Sequence, residues 1–191
     1  ISKLLLHTDF EPKTSENNRI AKFNHKTIGA KLRLELCKEF NRGQFTGYEF
    51  ADISISPHYH FNQYRHNGND FTPTDCIKTI INMLEYVGIK PSEYEDLKVV
   101  NIEFGLNIIP EIDIKSLIDG LFFYKKTPFR TGNFPYFKKT DATSYKQIKA
   151  YAKGLQFADF PQYSINPNTF RFEVKSKQAK NIKKYGIETA N

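Results

Sequence analysis

The sequence predicts an α+β fold: a mostly antiparallel central sheet with helices packed on one face and a polar face left for function. Three observations predict it. Several stretches alternate apolar and polar residues with period two, as half-buried strands do. Two stretches repeat apolar residues at helical spacing between clear start and stop signals. The connections mix a hairpin with helices, in the order strand, hairpin, helix, strand, helix, strand, strand, helix. Residues 1–191 read as a single domain, with no internal repeat and no low-complexity tract. The chain opens on Ile1 and closes in mid-pattern at Asn191, so a trimmed N-terminus and further chain after residue 191 are expected.

Composition narrows the class of function. Apolar residues make up 39% and charged residues 26%, the balance of a folded chain with a core. There are 17 Phe and 11 Tyr but no Trp. A Phe-rich core accounts for most of these rings, and the surplus suits stacking on bases. Net charge is +7. Residues 125–191 hold 14 Lys/Arg against 4 Asp/Glu, whereas residues 1–124 hold 14 against 17. So basic a final third suits a polyanion such as nucleic acid, with a solvated basic surface as the alternative. Cys37 and Cys76 have no motif spacing, which excludes a disulfide framework and a Cys-rich zinc site. They point to a reducing compartment, the cytoplasm. No run is long enough for a membrane helix, no signal peptide is visible, and no membrane partner is expected.

In chain order, Leu4-Leu5-Leu6 within Ile1–Phe10 reads as a buried strand, and residues 11–27 read as loop or short helix. Leu32, Leu34 and Leu36 alternate with Lys31, Arg33 and Glu35, a half-buried strand over 28–36. Asn41-Arg42-Gly43 signals a turn, and Gly47–Phe61 reads as the return strand of a hairpin. Thr72 and Pro73 suit the cap and first position of a helix that ends at Gly88, with Ile77, Ile80, Ile81 and Leu84 as its stripe. Leu97–Ile109 reads as an apolar strand closed by Pro110. A helix is expected over 113–124, with Ile114, Leu117, Ile118 and Leu121 on one side. Residues 125–144 form a basic loop. A strand over 145–153, a turn-rich link, a strand over 169–175 and a helix over 177–185 stopping at Gly186 complete the chain.

The strand around residue 150 is unusual. In Gln147-Ile148-Lys149-Ala150-Tyr151-Ala152-Lys153-Gly154, period two puts Lys149, Tyr151 and Lys153 on one face and Ile148, Ala150 and Ala152 on the other. A phenol between two ammonium groups has its ionised form favoured, and the same cations attract phosphate. Two other strands share the pattern. Glu103, Gly105 and Asn107 oppose Ile102, Phe104 and Leu106, which are expected to point inward. Arg171, Glu173 and Lys175 oppose Phe170, Phe172 and Val174. If the three strands are neighbours, two carboxylates, a tyrosine and several cations converge. Such a set suits phosphodiester transesterification. Glu103 and Glu173 would hold a hard divalent cation, Tyr151 would attack phosphorus, and Lys149 or Lys153 would steady the developing charge. A salt-bridged polar face, glutamate to lysine across strands, is the alternative.

A second candidate lies in Ser54-Ile55-Ser56-Pro57-His58-Tyr59-His60-Phe61, read as strand. His58 and His60 would share a face, and two imidazoles so placed can bind a metal. Contact with DNA is the other reading, and Pro57 argues against a regular ladder there.

Together these stretches resemble the phage and plasmid rolling-circle replication initiators of the filamentous-phage replication-protein type. Ser56-Pro57 through Asn62, with His66-Asn67 and Asp70-Phe71, is similar to the family's S-P/L-x-K … H-N … D-F segment. Val100-Asn101-Ile102-Glu103 resembles its I-x-R-[DE] strand, and Lys149-Ala150-Tyr151-Ala152-Lys153 its K-x-Y-x-K strand. Phe170-Arg171-Phe172-Glu173-Val174-Lys175, followed by Gly186-Ile187, resembles its L-R-F-E-x-[KR] … G-[IL] signature. The ordered set spans about residues 55–187. The chain departs from the pattern at Ile102, where a basic residue is usual, and at Tyr59, where a lysine is. It departs again at Asn107, where some plasmid initiators have a second acid. His58 and His60 therefore rest on their own chemistry alone.

The resemblance implies a Mg2+- or Mn2+-dependent nickase that starts rolling-circle replication, with Tyr151 rather than Tyr145 as nucleophile and Glu103 and Glu173 as essential acids. The product is a 5′-phosphotyrosine link and a free 3′-hydroxyl. The expected partner is single-stranded or unwound origin DNA, with a host helicase as a further one. Phosphate contacts are expected from Lys138, Lys139, Lys146, Arg171, Lys175 and Lys177, and base stacking from Tyr136 and Phe137. Rival readings are a DNA-binding module without catalysis, and a relaxase or transposase using the same tyrosine chemistry.

Overall fold

The computed structural model describes residues 9–13, 19–140, 143 and 145–191. The strand expected at Leu4-Leu5-Leu6 lies outside them. The chain forms two compact units, one of residues 1–67 and 71–91, the other of 68–70 and 92–191. Both are α+β, and every pairing within their sheets is antiparallel.

The first unit is a four-stranded meander, β1 (Phe10–Lys13), β2 (Ile20–His25), β3 (Gly29–Asn41) and β4 (Gln44–Ile55), in sequential order. Leu32, Leu34 and Leu36 are almost fully buried, as their alternation predicts. The turn falls at Arg42-Gly43, both with positive φ. Residues 11–27 were expected as loop or short helix, yet they contribute to two strands. The polar composition of β2 hides a weak alternation, and pairing with β3 decides its structure.

The return strand stops at Ile55, six residues before its expected end. Pro57 then starts a short helix, α1 (Pro57–Phe61), where its missing N–H costs nothing. Helix α2 (Pro73–Tyr86) begins as predicted, with Thr72 Oγ1 accepting from the Asp75 amide at 3.2 Å. Its buried face matches the expected one only at Leu84, with Ile80 half-buried. Thr79, Met83 and Leu84 point inward, while Ile77 is 61% exposed. The Thr79 hydroxyl donates to the Asp75 carbonyl at 2.6 Å, so a threonine can face the core with its polar group satisfied.

The second unit is built on a five-stranded sheet. Its strands are β5 (Ile102–Ile108), β8 (Arg130–Thr131), β9 (Phe137–Lys139), β10 (Lys146–Ala152) and β11 (Phe170–Ser176), in the order β5-β11-β10-β9-β8. The basic loop predicted for 125–144 thus contains two of its strands, and a two-stranded pair, β6 (Phe123–Tyr124) with β7 (Thr127–Pro128), precedes them. Helix α3 (Ile114–Asp119) is capped by Asp113, whose carboxylate accepts from the Ser116 amide at 2.9 Å; it ends at Gly120, shorter than expected. The short helix α4 (Lys153–Gln156) follows β10 directly, and α5 (Ala179–Ile182) follows β11.

Helix α3 puts Ile114 and Ile118 against Ala150, Ala152 and Phe170, the apolar face of the sheet. Each buried isoleucine contributes about 1.5–3 kcal/mol. A six-residue helix is only about 9 Å long. Five strands spaced about 4.8 Å apart span roughly 19 Å, so the helix cannot cover the sheet. Phe104 and Leu106, expected to point inward, are 57% and 65% exposed on the edge strand β5.

Candidate functional site

The opposite face of this sheet gathers the predicted residues. Strand β11 lies between β5 and β10, and its register sets Glu173 opposite Lys149 on one side and Gly105 on the other. The next rung puts Arg171 between Tyr151 and Asn107, and the previous one puts Lys175 beside Glu103. Period two then does the rest: the phenol, both carboxylates and the cations share one face because each strand keeps its alternation in phase with its neighbour.

Glu173 is the hub. It is 7% exposed, and the Tyr151 hydroxyl donates to its Oε1 at 2.6 Å. The Lys149 ammonium donates to Glu173 Oε2 at 3.0 Å and to Glu103 Oε1 at 2.8 Å, bridging the two carboxylates. Arg171 lies 3.8 Å from Glu173 Oε1, and its Nε donates to Asn107 Oδ1 at 2.6 Å. Asn107 Nδ2 in turn donates to the carbonyls of Gly68 and Asn69 at 2.9 and 3.0 Å. Lys175 stands 3.9 Å from Glu103 Oε2. Gly105 makes room for this packing, since a Cβ there would lie 3.2 Å from Glu173 Cγ and 3.4 Å from Arg171 Cδ.

Tyr151 is 6% exposed beneath two rings, Phe137 at 5.3 Å and Phe134 at 6.1 Å between centroids. The expectation that neighbouring lysines favour its phenolate is overturned. Burial raises its pKa and the Glu173 charge raises it further, against the Arg171 charge, so Tyr151 rests far above its ordinary range as a neutral phenol. Glu173 is pushed up by burial, but the Tyr151 hydrogen bond and the Lys149 charge outweigh this and hold it below its ordinary value. Burial also works against charged Lys149, yet the Glu103 and Glu173 carboxylates lift it above its usual value.

Lys153 lies past the end of the strand, yet its ammonium stays beside Tyr151 as the alternation predicts. The strand ends at Ala152, and Lys153 opens α4 with its side chain inside, 1% exposed. Gly154 permits this path, because a Cβ there would sit 2.2 Å from the Asn166 carbonyl oxygen. The Lys153 ammonium donates to Gln156 Oε1 at 2.7 Å and lies 5.5 Å from the centre of the Tyr151 ring. Burial, helped by the Arg171 charge, lowers its pKa to about 7.

The predicted DNA contacts divide between the two faces. Lys139 and Lys175 lie on the site face by register. Lys138 and Lys146 lie on the other, opposite Ala150 and Ser176, with Lys146 over the Tyr124 ring at 5.4 Å. Lys177 is exposed just past β11. Arg171 is 4% exposed and engaged with Asn107. Tyr136 lies in the turn before β9, with φ 56°, and packs against the α3 core; Phe137, the first residue of the strand, packs on Tyr151.

His58 and His60 belong to the first unit, on helix α1 and not on a strand. Two residues along a helix is a turn of about 200°, so they do not share a face. His58 stacks on Phe71 at 4.6 Å, and His60 Nδ1 is paired with the Tyr64 hydroxyl.

Among the described residues no three His, Cys, Asp or Glu side chains come together as a metal cluster. The pair Glu103 and Glu173 still suits a hard divalent ion, because both present oxygen to one cationic centre within 3.0 Å. Magnesium is commonly held by one or two carboxylates, with water and substrate phosphate filling the other positions.

Sequence reading missed the roles of Asn107, Gly105 and Phe134. Asn107 and Gly105 were legible as members of the Glu103 face, but nothing in their spacing announced a hydrogen-bonded support or a gap. Phe134 comes from a loop and carries no periodic signal.

No family model matches the chain, and no curated protein matches it. Among solved structures the chain is similar to a rolling circle replication initiator protein from Geobacillus stearothermophilus, with a TM-score of 0.44 and 11% identity. The likeness covers 93% of this chain and 63% of that one, so the chain spans less than two thirds of that protein's length.

Proposed function

We propose that the chain is a metal-dependent, site-specific DNA nicking and joining endonuclease of the rolling-circle type, with Tyr151 as nucleophile. The observation that carries this reading is the Tyr151 hydroxyl donating to Glu173 at 2.6 Å on a face crowded with cations. A phenol paired with a carboxylate is a nucleophile with its base in place.

Tyr151 transfers its proton to Glu173 as its oxygen bonds to phosphorus. The bond from phosphorus to the 3′-oxygen breaks, and that oxygen takes up a proton from water and leaves as a 3′-hydroxyl. The reverse sequence rejoins the strand, which is how a single tyrosine both nicks and seals. Arg171 and Asn107 keep Glu173 aimed at the phenol. Lys139 and Lys175 offer charge to the phosphates flanking the scissile one, on the same face as Tyr151. A Mg2+ or Mn2+ ion held by Glu103 and Glu173 would neutralise a non-bridging oxygen and polarise phosphorus. The partner is single-stranded or unwound origin DNA in the cytoplasm, and a host helicase would extend the opening while the free 3′-hydroxyl primes synthesis.

Incubation with single-stranded origin DNA and Mn2+ or Mg2+ tests the reading. The expected product is DNA covalently attached at Tyr151, found by gel shift under denaturing conditions and by peptide mass. An adduct that persists in Tyr151→Phe would remove the assignment. The second reading is a DNA-binding module without catalysis. It is favoured by Lys149, which already neutralises both glutamates as a structural bridge would. Nicking of a supercoiled origin plasmid separates the two.

A further inference from the structure

We infer that the Lys149 ammonium occupies the cation seat between Glu103 and Glu173, so that a divalent ion binds there only by displacing Lys149. The inference rests on the nickase reading for one point alone, that a divalent ion belongs at this site.

The geometry argues for exchange and not for coexistence. Lys149 Nζ lies 2.8 Å from Glu103 Oε1 and 3.0 Å from Glu173 Oε2. A Mg2+ ion takes oxygen ligands at about 2.0–2.1 Å, closer than the ammonium sits, so an ion held by both carboxylates would compete with Lys149 for the oxygens it now occupies. Sharing the space would also set an ammonium beside a dication in a site that already has Lys175 at 3.9 Å from Glu103 and Lys139 opposite Lys149. Like charges so close repel strongly where water is scarce. Lys149 has a way out, since its side chain is 20% exposed and it reaches the pair on a flexible four-carbon stem.

The rest of the hub stays when Lys149 leaves. Tyr151 remains on Glu173 Oε1, the oxygen that Lys149 does not use, and Arg171 remains near it. Leaving, the ammonium frees Oε2 of Glu173 and Oε1 of Glu103. Lys149 and Tyr151 stand two residues apart on one face of β10, so the displaced ammonium is free to meet a phosphate oxygen next to the nucleophile. Without metal, Lys149 closes the carboxylate pair and stabilises the fold. With metal, it becomes a cationic contact for DNA. Lys149 thereby makes the site's cationic contact conditional on the ion.

Two measurements on the whole chain test this, neither using cleavage. Mn2+ binding is followed by electron paramagnetic resonance in the wild type and in Lys149→Met. Removing the competing cation should tighten Mn2+ binding by about tenfold or more, and an affinity no tighter than wild type overturns the inference. Should Lys149→Met fail to fold, the wild type decides. Acetylation of its lysines by an activated ester, read by peptide mass, should find Lys149 protected without metal and several-fold more reactive at saturating Mn2+. Mn2+ binding with Lys149 still protected, or no Mn2+ binding at all, overturns it. If Lys149 is released by Mn2+ and no DNA adduct ever forms, the nickase reading fails while the shared seat stands.

Discussion

Glu173→Gln is the most informative perturbation, because one change touches charge, hydrogen bonding and catalysis separately. Glutamine keeps the shape and can still accept from Tyr151, but it loses the charge that pairs with Lys149 and Arg171. Removing one partner of a buried pair costs about 3–5 kcal/mol when the other is stranded. Lys149 keeps Glu103 and Arg171 keeps Asn107, so the expected loss is smaller, about 1–3 kcal/mol. In a unit of this size that lowers the melting temperature by roughly 5–20 °C. The loss must also depend on pH. Glu173 titrates below its ordinary value of 4.5 in the folded state, so its stabilisation is present above 4.5 and vanishes as pH falls through the lower folded value. The gap between the melting curves of the two proteins should therefore narrow as pH falls below 4.5. Cleavage at neutral pH should fall by about 10²–10⁴, the usual effect of a lost general base. A variant that melts with the wild type at pH 7, or a gap that does not narrow at all below pH 4.5, would refute the hub role of Glu173.

Three further outcomes are expected. Tyr151→Phe keeps the ring against Phe137 and loses only the bond to Glu173. It should melt within about 1.5 kcal/mol of wild type, bind DNA nearly as well and form no covalent adduct on a denaturing gel. Lys153→Met should be more stable than wild type at neutral pH. The folded lysine titrates at about 7 and the unfolded one near 10.5, so wild-type stability rises with pH across that window and the variant's should not; denaturant titrations at pH 6 and pH 10 will show whether it does. Gly105→Ala sets a methyl 3.2 Å from Glu173 Cγ and should slow adduct formation about tenfold while changing stability by less than about 1 kcal/mol; equal loss in both would mean that the gap serves only packing.

The sequence carried the site better than it carried the elements. Period two in β5, β10 and β11 placed Glu103, Tyr151, Lys149, Arg171 and Glu173 on common faces, and their pairing was the one missing fact. Alternation put Lys153 beside Tyr151 but not its burial at the start of α4, where Gly154 lets the backbone of Asn166 and Pro167 come close, a tertiary constraint that spacing cannot reveal. His58 and His60 were misread because Ser56-Pro57 was taken as an interrupted strand and not as a helix start. The neutral state of Tyr151 was out of reach as well. Charge spacing along one strand tells nothing of the carboxylate on the next strand, or of the burial that dominates it.

The alternation of β11 ties activity to folding more tightly than a loop-borne site would. Phe170 packs into the core from the same strand that holds Arg171 and Glu173 on the opposite face. A slip of one residue against β10 would carry Glu173 under the helix and turn Phe172 out to water, an error that the core rejects as firmly as the site does. Molecules with a formed core therefore have Glu173 in place. Specific activity in a partly denatured sample should follow the folded fraction, with no population of folded but miswired protein.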